Sequence, residues 1–573
     1  MTRDAKPPVA LSNRREVDAI TLSVLWNGLL SIADEMGTAL RRTAFSEAVR
    51  EGDDFSTGLF DRRGRLVAQG NFTPGHLGAM PYVIENVLRY HAPETLRPGD
   101  SILLNDSLLG GGHFPDFFLT TPIFREGRLI AYAVTTAHQV DMGGAAPGSQ
   151  RVQGITEAFQ EGLRILPIRI VREGRFDEDL LRMILGNVRV PAKVRGDLKA
   201  QLNANHVCGE RLNEMYDSYG EELMERTIDA ILEHSERETR AIIARLPKGR
   251  YEFEDHLDDA GPGTGPIKVK VAVTIDADGI EIDFTGSGGT VQAALNSYIN
   301  YTRAYGVFAT RCLTEANLPN NEGSFRPIRV KAEEGSFFNP RFPAASGGRA
   351  AVQIRIFDCI NGAFAKCIPH RAMGAFSHWS NPNIGGTDPR TGKPFIMYDM
   401  LLGGYGGRAT KDGVEAMSPV MNCSNIPVEV IEHNNPVVVE RFELIPDSGG
   451  AGKFRGGCGI RKDVRVLADG AVLTLLGDRH KIAPYGVFGG RPGALGQSIV
   501  LSGGEARALG SKEVVTLRYG DVVSLRTSGA GGYGPPEERD ADAIAADIAD
   551  GYVTTEGALK AYGPRAVKPA RET

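Results

Sequence analysis

Two histidines and two of the three aspartates in one stretch of this chain, "NDSLLGGGHFPDFFLTTPIFREGRLIAYAVTTAHQVDMGG", residues 105–144, could do chemistry together. They are His113, Asp116, His138 and Asp141. Neutral imidazoles and carboxylates form a nitrogen and oxygen donor set that suits zinc, manganese or ferrous iron better than calcium. Such an ion polarises a carbonyl or lowers the pKa of a bound water. Three glycines, Gly110, Gly111 and Gly112, precede His113 and let the backbone turn tightly or let another group come close. The alternative is a loop without chemistry, in which His113 bonds the glycine turn, Asp116 caps backbone amides and His138 is packed.

The elements that must position these residues are two β-like runs, 117–124 and 129–137, flanking "REGR". With Glu126-Gly127 as a two-residue turn, residue i pairs with residue 253 − i. His138 then faces Pro115, and Asp116 faces Ala137. Opposed residues have Cβ atoms about 5 Å apart, so His113, Asp116 and His138 gather at one end of the hairpin, with Asp141 just beyond. A bulge shifts the pairing by one residue without dispersing them.

Other polar stretches carry weaker signals. Asp53 and Asp54 in "REGDDFSTGLFD" read first as a turn or helix cap. His76 in "PGHLGAMP" lines a pocket or only a turn. "SGGAGKFRGG" mimics a phosphate loop, but Phe454 stands where Ser or Thr is required, so it is no nucleotide site. "GGYGGR" (403–408) and "GAGGYG" (529–534) read as structural loops. Cys208 follows His206 at an expected helix start, and nothing else marks a catalytic pair.

The 573 residues are too many for one core. With 42% hydrophobic and 24% charged residues, this is an ordinary globular composition. The net charge of -6 and the absence of a basic stripe argue against nucleic acid. Six cysteines without a CxxC pair, and no signal-type N-terminus, indicate a reduced, cytosolic protein. No apolar run of about 18 residues exists, so no membrane span is expected.

Leu22, Leu25, Leu29, Ile32, Met36 and Leu40 recur at helical spacing and predict a helix over 17–45. The run from Leu212 to Leu232 predicts one long helix, and "GGRAAVQIRIFDCINGAFAKCIP" another over 349–369. "FSTGLFDRRGRLVAQG" reads as a hairpin. The fold class is α/β (mixed α+β) and multi-domain, with mostly short-stranded sheets and flanking long helices. The expected organisation is an arm (1–15), an α/β domain with the metal-site hairpin (16–177), a helical segment (178–248), a central α/β domain (249–415), a glycine-rich β domain (416–536), and a C-terminal helix and tail (537–573).

The whole chain resembles the hydantoinase B/oxoprolinase family. The resemblance runs from about residue 16 to 536, through "EMGTALRRTAFS", "DDFSTGLFDRRGRLVAQG", "HLGAMP", "NDSLLGGGHFPD", "AHQVDMGG", "DFTGSGGTVQAALN" and "SGGRAAVQIRI". It continues through "GGYGGRATKDG", "PVEVIE", "RFELIPDSGGAGKFRGGCGIRK", "LLGDR", "GVFGG" and "GAGGYG". It implies a B-type subunit in a hetero-oligomer with an A-type partner. The partner, not this chain, binds ATP and phosphorylates the amide oxygen of a cyclic amide, and the B-type subunit completes ring opening at a divalent metal site. The family's ligands carry over to Asp54, His113, Asp116 and His138, which reverses the turn reading for Asp54. Asp141 or Asp106 would orient the ligands or take a proton from water, and Gly111, Gly112, Gln139 and His76 would line the substrate.

This chain departs from the family at Gln139, where a second histidine is usual; Gln hydrogen-bonds but is no general base. Ser107-Leu108 stands where the family often has Pro-Tyr. Two other readings stay open: a subunit of an ATP-dependent ketone carboxylase, and a non-catalytic scaffold.

Overall fold

A computed structural model describes residues 17–314, 317–417 and 420–567. The expected arm at 1–15 and the end of the tail lie outside the described residues. The fold is mixed α and β, with four sheets and long helices.

The first sheet carries the hairpin. Its strands are β1 (Phe55–Asp61), β2 (Leu66–Gln69), β3 (Ser101–Leu104), β4 (Asp116–Arg125), β5 (Arg128–His138), β6 (Ile168–Arg172) and β7 (Arg175–Phe176). Their order is β2-β1-β5-β4-β3-β6-β7. Side chains alternate across a strand, and both faces here are apolar. Ala131, Ala133 and Ala137 of β5 join a core with Leu25, Leu29 and Met36 of the helix Ala19–Thr43 and with Ala204 and Cys208 of the helix Pro191–Tyr219. Tyr132 and Val134 face the other way, onto Leu77, Met80 and Val83 of the helix Pro74–Tyr90. Covered on both sides, β1 is buried along its whole length.

The helix Ala19–Thr43 buries the face its periodicity predicted, and Asp18 caps it by accepting from the amides of Ile20 and Thr21. The single helix expected through Leu212–Leu232 is two. Gly220, at φ 77°, ends Pro191–Tyr219 and precedes Glu221–Arg245, because a left-handed residue cannot continue a right-handed helix. Cys208 lies inside the first of these rather than at its start.

A second sheet, Ile328–Lys331, Ile280–Asp283, Ile267–Ile275 and Gly249–Leu257 in order, packs on the helix Ala350–Phe364, every residue of which is buried. The helix Ile299–Thr314 lies between Ala350–Phe364 and Pro74–Tyr90 and joins the halves. A third sheet contains Asn383–Thr387 and Pro394–Tyr398, and a fourth, five-stranded one spans Val437 to Arg526.

The two glycine-rich loops hold each other. Gly374 donates its amide to the Gly407 carbonyl (2.9 Å), Gly407 to Gly531 (2.9 Å) and Gly531 to Ala375 (2.8 Å). A Cβ on Gly406 would collide with the Gly374 carbonyl, so the composition serves backbone-on-backbone packing. Among the described residues, no helix is long and apolar enough to cross a membrane.

Candidate metal centre

Asp116 opens β4 and His138 closes β5, and they are direct partners. The expected pairing of Asp116 with Ala137 is therefore off by one. Arg125↔Arg128 and Phe124↔Leu129 follow the predicted sum, but a bulge then pairs Ile123 with Ala131. The extra residue, Ile130, shifts every later pair, so Asp116 meets His138 on one face of the sheet.

His113 reaches the same point from the glycine loop. Asp106 ties that loop by accepting from the amides of Leu108 (3.0 Å) and Leu109 (2.8 Å). Asn105 donates its side-chain amide to the Phe114 carbonyl (2.8 Å), and Asn300 to that of Ser107 (3.0 Å). The glycines bring backbone to the site: a Cβ on Gly111 would stand 2.8 Å from the Phe118 ring and 3.0 Å from Asp116 Oδ2. Gly112 sits at φ 87°. Both carbonyls are used by the protein, Gly111 accepting from Arg349 Nε (2.7 Å) and Gly112 from the Ser346 hydroxyl (2.6 Å).

The nitrogens converge on one oxygen. Asp116 Oδ1 is 2.8 Å from His113 Nε2, 3.2 Å from His138 Nδ1 and 3.3 Å from His76 Nε2. His76 stands in the first turn of the helix Pro74–Tyr90, and its Nδ1 has no hydrogen-bond partner among the described residues. Asp54, just before β1, puts Oδ1 3.8 Å from His76 and Oδ2 3.9 Å from His138. Its neighbour Asp53 turns away, at φ 56°, to Arg41 (2.6 Å) and Ser424 (2.9 Å). The structure thus brings together Asp54, His76, His113, Asp116 and His138, all buried.

The charges decide what this cluster can hold. Burial, then the Arg349 guanidinium, pull the His113 pKa down to about 4, against the pull of Asp116. Burial alone would raise Asp116, but the charges around it, the Arg349 guanidinium among them, hold it well below the usual carboxylate range. His113 Nδ1 lies 3.0 Å from the Gly347 carbonyl, which can only accept, so this nitrogen carries the proton. The Nε2 lone pair then faces an ionised carboxylate oxygen at 2.8 Å. Two lone pairs at that distance repel unless a cation lies between them. One donor atom each from His113, Asp116 and His138 fall within 4.8 Å of one another. The donor set and the His113 tautomer both fit a divalent cation.

Four further side chains complete the site, and the sequence reading passes over them. Arg349, one residue before the helix Ala350–Phe364, pairs with Asp116 Oδ2 and stacks 3.9 Å over the Tyr301 ring. Tyr398, ending the strand Pro394–Tyr398, donates to Asp54 Oδ2 (2.9 Å). Burial, then the Asp54 charge, keep its phenol protonated. Gln150 meets His138 Nε2 at 3.3 Å. "SGGR", in the stretch "SGGRAAVQIRI", held the signal for Arg349; Tyr398 had none.

Asp141 and Asp106 lie outside the cluster and do not line its cavity. Asp141 accepts from the amides of Gly143 (3.1 Å), Gly148 (3.2 Å) and Arg189 (2.7 Å) and pairs with the Arg189 guanidinium (2.8 Å). Asp106 pairs with Arg164. Gln139 lies beside His138 but outside the cavity; its amide nitrogen reaches only the Ala137 carbonyl, at 3.4 Å.

Comparison with known proteins places the chain in a family. The family model "Hydantoinase B/oxoprolinase" matches residues 18–536, and the chain belongs to that family. An uncharacterised protein of Methanocaldococcus jannaschii is 35% identical over 96% of this chain and 97% of its own. The putative B-type subunit of a D-/L-hydantoinase from a Pseudomonas species is 31% identical, over 96% and 95%. The crystal structure of the ATP-dependent caprolactamase from Pseudomonas jessenii superposes with a TM-score of 0.88 at 28% identity, covering 96% of both chains.

Proposed function

We propose that this chain is the B-type subunit of an ATP-dependent cyclic-amide hydrolase that opens a hydantoin, 5-oxoproline or lactam ring after an A-type partner has phosphorylated the ring carbonyl oxygen. The observation that carries this reading is the buried nitrogen and oxygen donor set around Asp116 in a chain of this family. Similarity to a hydantoinase subunit and to a caprolactamase supports the ring chemistry.

Amide resonance makes the ring carbon a poor electrophile, and phosphorylation of the oxygen removes much of it. His113, His138 and Asp116, with Asp54 beside them, would hold a divalent zinc, manganese or iron ion. When bound, that ion supplies Lewis-acid polarisation and lowers the pKa of a water. Arg349 balances the Asp116 carboxylate, and Tyr398 fixes Asp54 by donating to it. His76, with a free Nδ1 and two carboxylates at its other nitrogen, is placed to take and return a proton. Asp141 and Asp106 act by positioning, since their oxygens are committed to loop amides and arginines.

The test is ring opening by this chain assembled with an A-type partner, supplied with ATP, a divalent metal and hydantoin, 5-oxoproline or a lactam. Ring opening that consumes ATP and needs no bicarbonate is expected. Dependence on bicarbonate would instead mark a carboxylase. No turnover of any of the three rings by a metal-loaded complex counts against the reading.

A further inference from the structure

The cavity at the cluster has a volume of only about 20 Å³, room for little more than a water-sized group. Next to it lies a cavity of about 370 Å³, the size range of small-ligand pockets. The two share walls one residue thick. Along the chain Phe72, Pro74 and Leu77 face the large cavity, whereas Thr73, Gly75 and His76 face the small one. Val420 and Asn422 line the large cavity, and Met421 between them lines the small one.

The large cavity adjoins a groove of about 670 Å³ between the helices Pro74–Tyr90 and Ile299–Thr314, with Gly78, Ala304, Val307 and Phe325 common to both. The first cavity is lined by Phe72, Leu77 and Phe308 on one side and by Asn71, Arg311 and Asn422 among its polar groups, and the groove by arginines together with Glu85 and Glu322. Most of these are matched: Arg65 pairs with Asp61 and Asp229 (each 2.6 Å), Arg63 faces Asp229 (3.7 Å), Arg89 pairs with Glu85, and Arg326 pairs with Glu236 (2.9 Å). Arg303 differs. Among the described residues no carboxylate pairs with it; it donates to the Tyr82 hydroxyl (3.0 Å), with its guanidinium 5.4 Å over that ring.

We infer that this groove, with the cavity it adjoins, holds the ring substrate beside the cluster and that Arg303 selects a cyclic amide bearing a carboxylate. The inference rests on the proposed ring-opening function and adds to it a place and a charge preference. The side lined by Phe72, Leu77 and Phe308 takes the ring body, and the exposed Arg303 guanidinium meets an anion in the groove. An acidic segment of a partner protein accounts for the groove but not for the side lined by Phe72, Leu77 and Phe308.

The test compares 5-oxoproline with 2-pyrrolidinone, the same ring without its carboxylate. Binding to the full chain is followed by saturation-transfer NMR, for wild type and Arg303→Gln. Tighter binding of 5-oxoproline to wild type is expected, reduced roughly three- to tenfold by Arg303→Gln and by added salt, as for an exposed ion pair. Binding of 2-pyrrolidinone is expected to stay unchanged, which excludes general damage. Equal binding of both rings, no binding of either, or no effect of Arg303→Gln overturns the inference. Turnover by the assembled enzyme is scored separately: ring opening with no role for Arg303 leaves the function standing and removes only the groove.

Discussion

The Gly347 carbonyl accepts a hydrogen bond from the His113 Nδ1–H, across 3.0 Å and 234 residues of chain. This one bond fixes which imidazole nitrogen faces Asp116, and it comes from a turn that clamps the glycine loop at several points. Ser346 holds Gly112, Gly347 holds His113, and Arg349 holds both Gly111 and Asp116. The hairpin supplies Asp116 and His138, and the turn before the helix Ala350–Phe364 aims the third ligand.

Arg349→Lys tests the clamp. Lysine keeps the charge but lacks the planar fork that reaches Asp116 and the Gly111 carbonyl together. Metal affinity, measured by chelator competition, is expected to fall about 10- to 100-fold, the usual cost of losing a residue that orients a ligand. Unchanged affinity would remove Arg349 from the site.

Tyr398→Phe tests the support of Asp54. The variant removes one hydrogen bond to a carboxylate, worth about 1.5–3 kcal/mol. A fall in kcat/KM of roughly ten- to a hundredfold is expected. The alkaline limb of the pH profile should not move, because burial and Asp54 hold the phenol well above its ordinary range. A shifted alkaline limb would show that Tyr398 itself titrates in the reaction.

Glu161 gives a pH-dependent stability. Its Oε1 accepts the Ser346 amide at 2.7 Å, and Oε2 has no partner among the described residues. Burial raises its pKa from 4.5 to about 8, against the two amides of the 346–347 turn. Between those values the folded chain keeps a proton that the unfolded chain has released. Its contribution is therefore full at acidic pH and is lost as pH rises toward 8. Glu161→Gln cannot ionise. Relative to wild type it should gain stability from pH 5 to pH 8, by a few kcal/mol, since each tenfold change in an ionisation constant is worth about 1.4 kcal/mol. Parallel denaturation midpoints of the two proteins across that range would contradict this.

The hairpin was legible because a two-residue turn and strand alternation are local rules, and the glycines before His113 announced a close approach. The bulge at Ile130 was not, since either register keeps apolar residues on both buried faces of the sheet. Gly220 could have been read as a break, but the helical spacing continues on both sides of it and hid the change. Asp54 looked like a turn residue, and its neighbour Asp53 is one in part; only the resemblance separated them. Arg349 and Tyr398 join the site through contacts of 233 and 344 residues in sequence separation, which no local pattern encodes.

The most direct measurement is the metal content of the purified chain beside His113→Ala and Asp116→Ala, with circular dichroism to show that each is folded. The expected result is about one divalent transition metal per wild-type chain, lost from both folded variants. Wild-type protein that stays metal-free after incubation with zinc, manganese and ferrous iron, or folded variants that keep a full equivalent, would contradict the metal centre and the chemistry built on it.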